Sequence, residues 1–209
     1  MHNLLLPSLQ KQVEQLVNQF NLIDTNRQQL LLSMTNYIQS KINQQQAIQL
    51  NFICTHNSRR SHISQLWAQA AAHYYQIPNV FCFSGGTEAT AFNPRAVLAM
   101  QNAGFAIEAS NKTNNPIYDV KFANDAMALQ VFSKKYDDAV NPVNSFAAVM
   151  TCSHADENCP FIPRAEKRFA LTYDDPKAFD DTSLEKEKYK ERVEQIGREI
   201  LFIFSNIKK

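Results

Sequence analysis

Residues 54 to 61 include the residue types that an enzyme needs to attack an oxyanion. The segment reads Cys-Thr-His-Asn-Ser-Arg-Arg-Ser, with Cys54 at its start and Arg60 near its end. A cysteine thiolate is a strong nucleophile toward phosphorus or arsenic, and an arginine guanidinium can donate two parallel hydrogen bonds to the oxygens of an anion. We therefore predict that Cys54 is an activated nucleophile and that Arg60 binds the anion.

The residues around this segment favour an anion-binding loop. It follows an apolar run at 50 to 54 and precedes residues 63 to 74, where apolar side chains recur at helical spacing. In a strand-to-helix turn, main-chain N–H groups and the helix dipole converge on an anion, and the same field favours a thiolate. The candidate anion-binding residues are Thr55, His56, Asn57, Ser58, Arg59 and Arg60. A buried strand-end cysteine beside two surface arginines is the competing interpretation.

Two more cysteines and an aspartate are candidates for a chemical role. Cys152 and Cys159 enclose a polar, acidic segment, and Asp175 precedes a proline. A loop could bring the two thiols together for disulfide exchange, and a carboxylic acid could protonate a leaving oxygen. Inert thiols or a zinc site are the alternatives for the cysteine pair, and an ordinary turn is the alternative for Asp175. Cys82 lies inside an apolar run and is predicted to be a buried structural thiol.

Strands and helices that alternate along the chain would position these residues. Helical periodicity lies between the first two of four apolar runs and again near the end of the chain, and the runs predict buried strands at 50–54, 80–83, 146–151 and 169–173. This order indicates an α/β fold with a four-stranded parallel sheet and helices on both faces. Ligands bind beyond the carboxyl ends of such strands, where Cys54, Cys152 and Asp175 lie.

Two segments stand apart from this pattern. Residues 1 to 48 are rich in Gln, Asn and Leu, contain no Gly, and place apolar side chains on two helical faces. We predict a helical N-terminal extension packed on a catalytic domain of residues 49 to 209, in preference to a separate partner-binding module. Within the less regular stretch from 111 to 144, residues 117 to 122 and 128 to 132 are candidate strands of an inserted hairpin.

Composition and charge narrow the class of protein. The 209 residues, 44% of them hydrophobic, suffice for one catalytic domain with an appendage. A formal net charge of +1 provides no field for nucleic acid or an anionic membrane. The sequence has no apolar run long enough to span a bilayer and no signal-peptide pattern, so we expect a cytoplasmic protein whose cysteines serve catalysis or redox chemistry. We expect no cofactor and no metal.

These motifs together resemble the low-molecular-weight protein tyrosine phosphatase fold family. The family's loop has Cys, five residues, Arg and then Ser or Thr, which corresponds here to Cys54, Asn57, Arg60 and Ser61. The resemblance extends to Ser-Gly-Gly-Thr-Glu at 84–88, Asn-Pro at 93–94 and Asp-Asp-Pro at 174–176. It implies that Cys54, Arg60 and Ser61 are catalytic and that Asp175 is the general acid.

Within this family, the thioredoxin-coupled arsenate reductases have two additional cysteines after the third strand. Residues 152 to 160, Cys-Ser-His-Ala-Asp-Glu-Asn-Cys-Pro, resemble their redox segment. The resemblance implies that Cys54 attacks arsenate, that Cys152 attacks the adduct and expels arsenite, and that Cys159 attacks the resulting disulfide. A Cys152–Cys159 disulfide then remains for thioredoxin to reduce. We therefore expect a thiol-dependent arsenate reductase.

Two other functions are compatible with the same loop. A phosphatase acting on phosphotyrosine or another aryl phosphate would use Cys54, Arg60 and Asp175 without a disulfide relay. A non-catalytic oxyanion-binding or redox-sensing protein is the third hypothesis. It rests on His56 and Arg59, which replace the glycine and the small residue or cysteine usual in the family.

Overall fold

Strands and helices alternate along the chain in the computed structural model, which describes residues 5–158 and 161–208. The strands are β1 (Ile48–Cys54), β2 (Val80–Gly86), β3 (Ala106–Ala109), β4 (Tyr118–Lys121), β5 (Leu129–Val131), β6 (Phe146–Met150) and β7 (Ala165–Ala170). The α-helices are α1 (Pro7–Val17), α2 (Thr25–Asn43), α3 (Arg60–Tyr74), α4 (Pro94–Asn102), α5 (Ser153–Asn158) and α6 (Glu185–Ser205). Short 3-10 helices span Phe20–Leu22 and Pro176–Phe179.

A parallel sheet in the order β2-β1-β6-β7 forms the centre of the fold. The strand β1 pairs with β2 on one side and with β6 on the other, and β6 pairs with β7. Because the carboxyl ends of parallel strands meet at one edge of a sheet, the residues that follow β1, β6 and β7 share that edge. The predicted α/β fold with a four-stranded parallel sheet is confirmed.

Alternate residues of the sheet belong to two hydrophobic cores. In β6, Ala147 and Val149 join the larger core, whereas Ala148 and Met150 join a smaller one. The helices α3 and α6 pack against each other over the larger core, and α5 contributes Ala155 to the smaller. Side chains of a strand point alternately to opposite faces, so helices cover both faces of the sheet.

The segment from 106 to 131 forms a second, antiparallel sheet in the order β3-β4-β5. The predicted hairpin is confirmed, because β4 pairs with β5 in antiparallel register. The third strand, β3, was not predicted from the sequence. Its four residues, of which only Ile107 is buried, are too few for a recognisable alternation of apolar and polar side chains.

The last strand of the parallel sheet begins and ends earlier than predicted. The prediction placed it at 169 to 173, whereas β7 spans Ala165–Ala170. As an edge strand, β7 pairs with β6 alone, and its residues Glu166 and Lys167 are exposed and give no apolar signal. The apolar residues Leu171 and Tyr173 are buried but lie beyond the end of β6.

Helices α1 and α2 pack their apolar faces against α6. The buried side chains of these two faces are Leu9, Val13, Leu16, Leu31, Met34 and Ile38. A polar contact adds to this packing, since the Thr35 hydroxyl donates to the carbonyl of Ile203 at 2.9 Å. No helix in the described part of the chain is long and apolar enough to cross a membrane.

Arg27 of α2 joins the N-terminal helices to α6 and to the segment that follows β7. Its Nε and Nη2 donate to Oε2 of Glu199 at 2.9 and 2.8 Å, and Nη2 also donates to the carbonyl of Thr172 at 3.2 Å. The guanidinium carbon lies 5.0 Å from the centroid of the Tyr173 ring. Only 17% of the Arg27 side chain and 5% of the Glu199 side chain are exposed. The pair therefore has little contact with solvent.

Arg27→Ala is expected to lower the free energy of unfolding by about 3 kcal/mol, because it leaves the buried Glu199 carboxylate without its cation. Urea denaturation followed by circular dichroism measures the change. Lys188→Ala is the control, since it removes a more exposed pair with Glu191 one turn along a helix. That substitution should leave the unfolding midpoint unchanged. Equal effects of the two substitutions would show that the Arg27–Glu199 pair stabilises the fold no more than an exposed ion pair does.

Candidate active site

Cys54 is the last residue of β1, and the loop of residues 55 to 59 connects it to α3. Its side chain is buried, and its Sγ lies 3.1 Å from Oγ of Ser61. The Ser61 hydroxyl also accepts a hydrogen bond of 2.9 Å from Nδ2 of Asn57. Because an amide Nδ2 can only donate, the Ser61 proton is free to be donated to the sulfur. The Cys54 sulfur therefore has a hydrogen-bond donor next to it.

The carbonyl groups of the loop are occupied by donors outside it. Four of them accept hydrogen bonds of 2.8–3.2 Å, namely those of Cys54, Thr55, His56 and Ser58. Within the described residues, the main-chain N–H groups of residues 56 to 59 donate to no protein acceptor. A turn with engaged carbonyls and free N–H groups at the start of a helix is suited to binding an oxyanion.

Gly86 at the end of β2 allows this loop to pack directly on the strand. A Cβ atom at Gly86 would lie 2.7 Å from the main-chain nitrogen of Asn57 and 2.7 Å from the carbonyl oxygen of Thr55. Any side chain at this position would therefore displace the loop backbone. Asn57 itself has a φ of 44°, in the left-handed region that asparagine tolerates better than most residues.

Arg60, the first residue of α3, contacts the segment after β7. Its Nη2 donates to Oδ2 of Asp175 at 2.6 Å, and its Nη1 donates to the carbonyl of Tyr173 at 3.0 Å. Asp175 is also fixed by its own turn, because its Oδ1 accepts from the N–H of Lys177 at 3.0 Å. The structure thus brings the predicted acid against the predicted anion-binding arginine. About a third of the Asp175 side chain, 30%, remains exposed.

Arg59 extends toward α6. Its Nε donates to the Tyr189 hydroxyl at 2.7 Å and its Nη2 to Oδ2 of Asp180 at 3.2 Å. Burial, assisted by a hydrogen bond to Asp180, raises the pKa of Tyr189 to about 12, so the phenol keeps the proton that it donates to Asp180. In this structure Arg59 anchors the loop to α6. This anchor was not predicted, since Tyr189 fits a helical core stripe and Asp180 lies in an ordinary polar segment.

Cys152 lies beside the loop, in the same small hydrophobic core as Cys54. Its Sγ is 3.5 Å from Oγ1 of Thr55 and accepts a hydrogen bond of 3.3 Å from the N–H of Ala155 in α5. Thr55 Oγ1 is in turn 3.3 Å from Nδ1 of His154. The structure therefore brings a second thiol to the first residue of the anion loop.

The structure describes three of the four cysteines. Cys54, Cys82 and Cys152 are free thiols. Cys159, the third member of the predicted relay, lies outside the described residues. Cys82 is buried in β2, as predicted, and burial raises the pKa of its thiol far above the ordinary value. It stays protonated at neutral pH and is unsuited to nucleophilic chemistry.

Two histidines flank the loop in different environments. His56 is half-exposed, with its Nε2 3.6 Å from the Glu88 carboxylate. His62 is fully buried, accepts or donates a 3.1 Å hydrogen bond at Ser84, and stacks on Phe92. Burial and the nearby charge of Lys134 lower the pKa of His62 well below its ordinary value, so its ring is neutral at pH 7. His62 therefore supports the loop from inside the core.

Lys134 supports the loop through Asn57. Its main-chain N–H donates to Oδ1 of Asn57 at 2.9 Å, so both ends of the asparagine amide are engaged. Its side chain is buried over the Phe132 ring, and this burial lowers the pKa of Lys134 to about 8. This role of Lys134 was not predicted, because a lysine in an irregular segment normally indicates a solvated surface.

Comparisons with known proteins agree with this geometry. An arsenate reductase from Bacillus subtilis (strain 168) is 33% identical to the chain over 150 residues, which cover 71% of this chain and 89% of that protein. "Arsenate reductase 2" from Staphylococcus epidermidis is 34% identical over 126 residues, covering 60% and 76% respectively. No protein-family model matches the chain.

Solved structures share the fold. A YwlE mutant from Bacillus subtilis gives a TM-score of 0.53 at 16% identity, over 78% of this chain and all of that one, 100%. A low-molecular-weight protein tyrosine phosphatase from T. tengcongensis gives 0.52 at 16% identity, over 77% and 100%. The family resemblance predicted from the sequence is confirmed. With the phosphatase-like sheet, the cysteine-containing loop between β1 and α3, and relatives above 30% identity, the chain belongs to the arsenate reductase family.

Proposed function

We propose that this protein is a thiol-dependent arsenate reductase that converts arsenate to arsenite through Cys54, Cys152 and Cys159. The observation that carries the proposal is the position of Cys152, whose sulfur lies 3.5 Å from the Thr55 hydroxyl at the start of the anion loop. A phosphatase needs one thiol at this loop, because water hydrolyses its covalent intermediate. A reductase needs a second thiol within reach to remove arsenic from the first.

In the proposed reaction, the loop and Arg60 bind arsenate next to Cys54. The Cys54 thiolate attacks arsenic, and one arsenate oxygen leaves as water after protonation, for which Asp175 is the proposed donor. The Cys152 thiolate then attacks Sγ of Cys54. The S–As bond breaks and its electron pair stays on arsenic, so As(V) is reduced to arsenite and the two sulfurs are oxidised to a disulfide.

Cys159 completes the proposed cycle. Its thiolate attacks Sγ of Cys152, which releases Cys54 as a thiolate and leaves a Cys152–Cys159 disulfide. A dithiol partner must return two electrons in each turnover, and we propose thioredoxin. A cytoplasmic location suits this chemistry, because the cytosol keeps thiols reduced. We also propose that residues 1–48 are a helical extension of a catalytic domain formed by residues 49–209.

The function is tested by two assays on the unmodified protein. One measures arsenate turnover, with thioredoxin in one set and a small dithiol in another. The second measures hydrolysis of an aryl phosphate. Arsenate should be reduced in many turnovers with thioredoxin. If the small dithiol supports turnover and thioredoxin does not, the choice of thioredoxin is overturned, but the reductase function stands. Hydrolysis of aryl phosphate without any reduction of arsenate would replace the reductase by a phosphatase.

Aryl phosphate hydrolysis is the second candidate function, because the Arg60–Asp175 pair provides an anion binder and an acid in one place. If Asp175 protonates the leaving oxygen, Asp175→Asn should slow cleavage of phenyl phosphate by about 100-fold. Cleavage of 4-nitrophenyl phosphate, whose leaving group needs little protonation, should slow much less. The control is Asp174→Asn, because Asp174 is 97% exposed and should affect neither ester. Equal losses for both esters in Asp175→Asn would make Asp175 a turn residue only.

A further inference from the structure

Cys152 must lose its thiol proton before it can act as a nucleophile. Only 1% of the residue is exposed, so water cannot readily remove its proton. A thiol is a poor nucleophile, and the attack on Cys54 requires the thiolate. The N–H of Ala155 at 3.3 Å would stabilise the thiolate once formed, but it is a donor and cannot accept a proton. A proton acceptor must therefore be connected to the sulfur.

The structure contains a continuous line of polar atoms from this sulfur to solvent. Cys152 Sγ lies 3.5 Å from Thr55 Oγ1, and the same Oγ1 lies 3.3 Å from His154 Nδ1. A hydroxyl can accept one proton and donate another, whereas a neutral imidazole nitrogen can accept one. His154 is exposed, so a proton on its ring can pass to water. We propose that His154 accepts the proton of Cys152 through the hydroxyl of Thr55.

The proton balance of this step is simple. The Cys152 S–H donates its proton to Thr55 Oγ1, and the Thr55 O–H donates its own to Nδ1 of His154, which carries its other proton on Nε2. Thr55 ends as it began, Cys152 becomes a thiolate, and His154 becomes an imidazolium. The thiolate attacks Cys54, and the imidazolium loses its extra proton to water. His154 touches neither arsenic nor the reacting sulfurs and acts only through Thr55.

The charged groups that the structure describes near His154 do not form ion pairs with its ring. On its own helix, Asp156 is held by Arg168 of β7, whose Nη2 is 2.5 Å from the Asp156 carboxylate. Glu157 is exposed and has no polar partner among the described residues. Across Thr55, its neighbours in the chain are the Cys54 thiol and the His56 imidazole. Within the described residues no carboxylate forms an ion pair with His154.

The inference rests on the proposed reductase function and is tested in a Cys159→Ser background, where the first disulfide accumulates. The measurement is the rate of Cys54–Cys152 disulfide formation in a single turnover with arsenate, by acid quench and mass mapping. His154→Ala should slow this rate by about ten-fold or more at neutral pH. Added imidazole should restore much of it, since the site of His154 is open to solvent. Thr55→Val should cause a similar loss that imidazole does not restore.

Three controls separate a proton acceptor from a structural residue. Glu157→Gln changes another solvent-exposed residue of α5 and should leave the rate unchanged. Aryl phosphate hydrolysis by His154→Ala should stay at the unmodified rate, because that reaction does not use Cys152. The loss in His154→Ala should also shrink as the pH rises, since hydroxide replaces the missing base. An unchanged single-turnover rate, or a loss that neither imidazole nor higher pH reduces, would overturn the role of His154.

A second measurement keeps this inference separate from the reductase proposal. In a Cys54→Ser, Cys159→Ser background, the rate at which excess iodoacetamide, a small reagent, alkylates Cys152 is measured by mass mapping. Cys82 remains silent, because burial raises the pKa of its thiol. The same His154→Ala loss and imidazole rescue are expected there. If the protein never forms a disulfide with arsenate but this reaction still depends on His154, the reductase proposal fails and the proton acceptor stands.

Discussion

Cys54→Ser is expected to reduce both arsenate turnover and aryl phosphate hydrolysis by at least about 1,000-fold. A serine hydroxyl needs a strong base to become a nucleophile, and the polar side chain next to Sγ is the Ser61 hydroxyl, 3.1 Å away, which is far too weak a base for this role. A thiol needs no such base, because it loses its proton far more readily than a hydroxyl. Steady-state rates of the two reactions measure the loss.

The matched control for this substitution is Cys82→Ala, which removes a thiol that lies in the neighbouring strand and stays protonated. It should leave both reactions at nearly the unmodified rate. In the unmodified protein, iodoacetamide should label Cys54 much faster than Cys82, and phosphate or arsenate should protect Cys54. Substantial arsenate turnover by Cys54→Ser, or labelling that neither anion slows, would mean that another residue makes the first attack.

Cys152→Ser and Cys159→Ser are expected to separate the two reactions. Each should lower arsenate turnover to about 1% or less, because a hydroxyl cannot take part in thiol–disulfide exchange. Each should leave aryl phosphate hydrolysis within about two-fold of the unmodified rate, because water resolves the phosphorylated enzyme. Parallel assays of the two activities on each variant measure the split.

The two variants should differ in the species that accumulates after one turnover. Cys159→Ser lacks the final attacking thiol, so the Cys54–Cys152 disulfide should persist and be found by mass mapping without reductant. Cys152→Ser should form no intramolecular disulfide with Cys54. Full arsenate turnover by both variants would overturn the relay. An unchanged Cys159→Ser with an inactive Cys152→Ser would mean that the reductant attacks the first disulfide directly.

The scaffold is predicted well where strands are largely buried. The strands β1, β2 and β6 are short apolar runs, and the pattern identifies each of them. Their parallel order then places Cys54 and Cys152 at one edge, which is the position that the chemistry requires. The strand β7 was displaced in the prediction because its exposed edge residues have no such signal.

The directions of individual side chains at the site lie beyond such reasoning. Arg59 was grouped with the anion-binding residues, yet its guanidinium contacts Tyr189 and Asp180, more than 100 residues away in the sequence. The contact of His154 with Thr55 likewise joins helix α5 to a loop that is far away in the chain. Contacts of this kind depend on tertiary packing, and no periodicity or local spacing in one sequence records them.

The packing of α1 and α2 on α6 has a consequence for synthesis on the ribosome. These two helices leave the ribosome well before α6, which supplies much of the surface that buries Leu9, Val13, Leu31 and Ile38. At a translation rate of about 5–20 residues per second, their apolar faces stay uncovered by α6 for on the order of ten seconds. During that interval the nascent chain exposes the apolar faces of both helices. A chaperone that binds apolar helices should therefore raise the yield of folded protein.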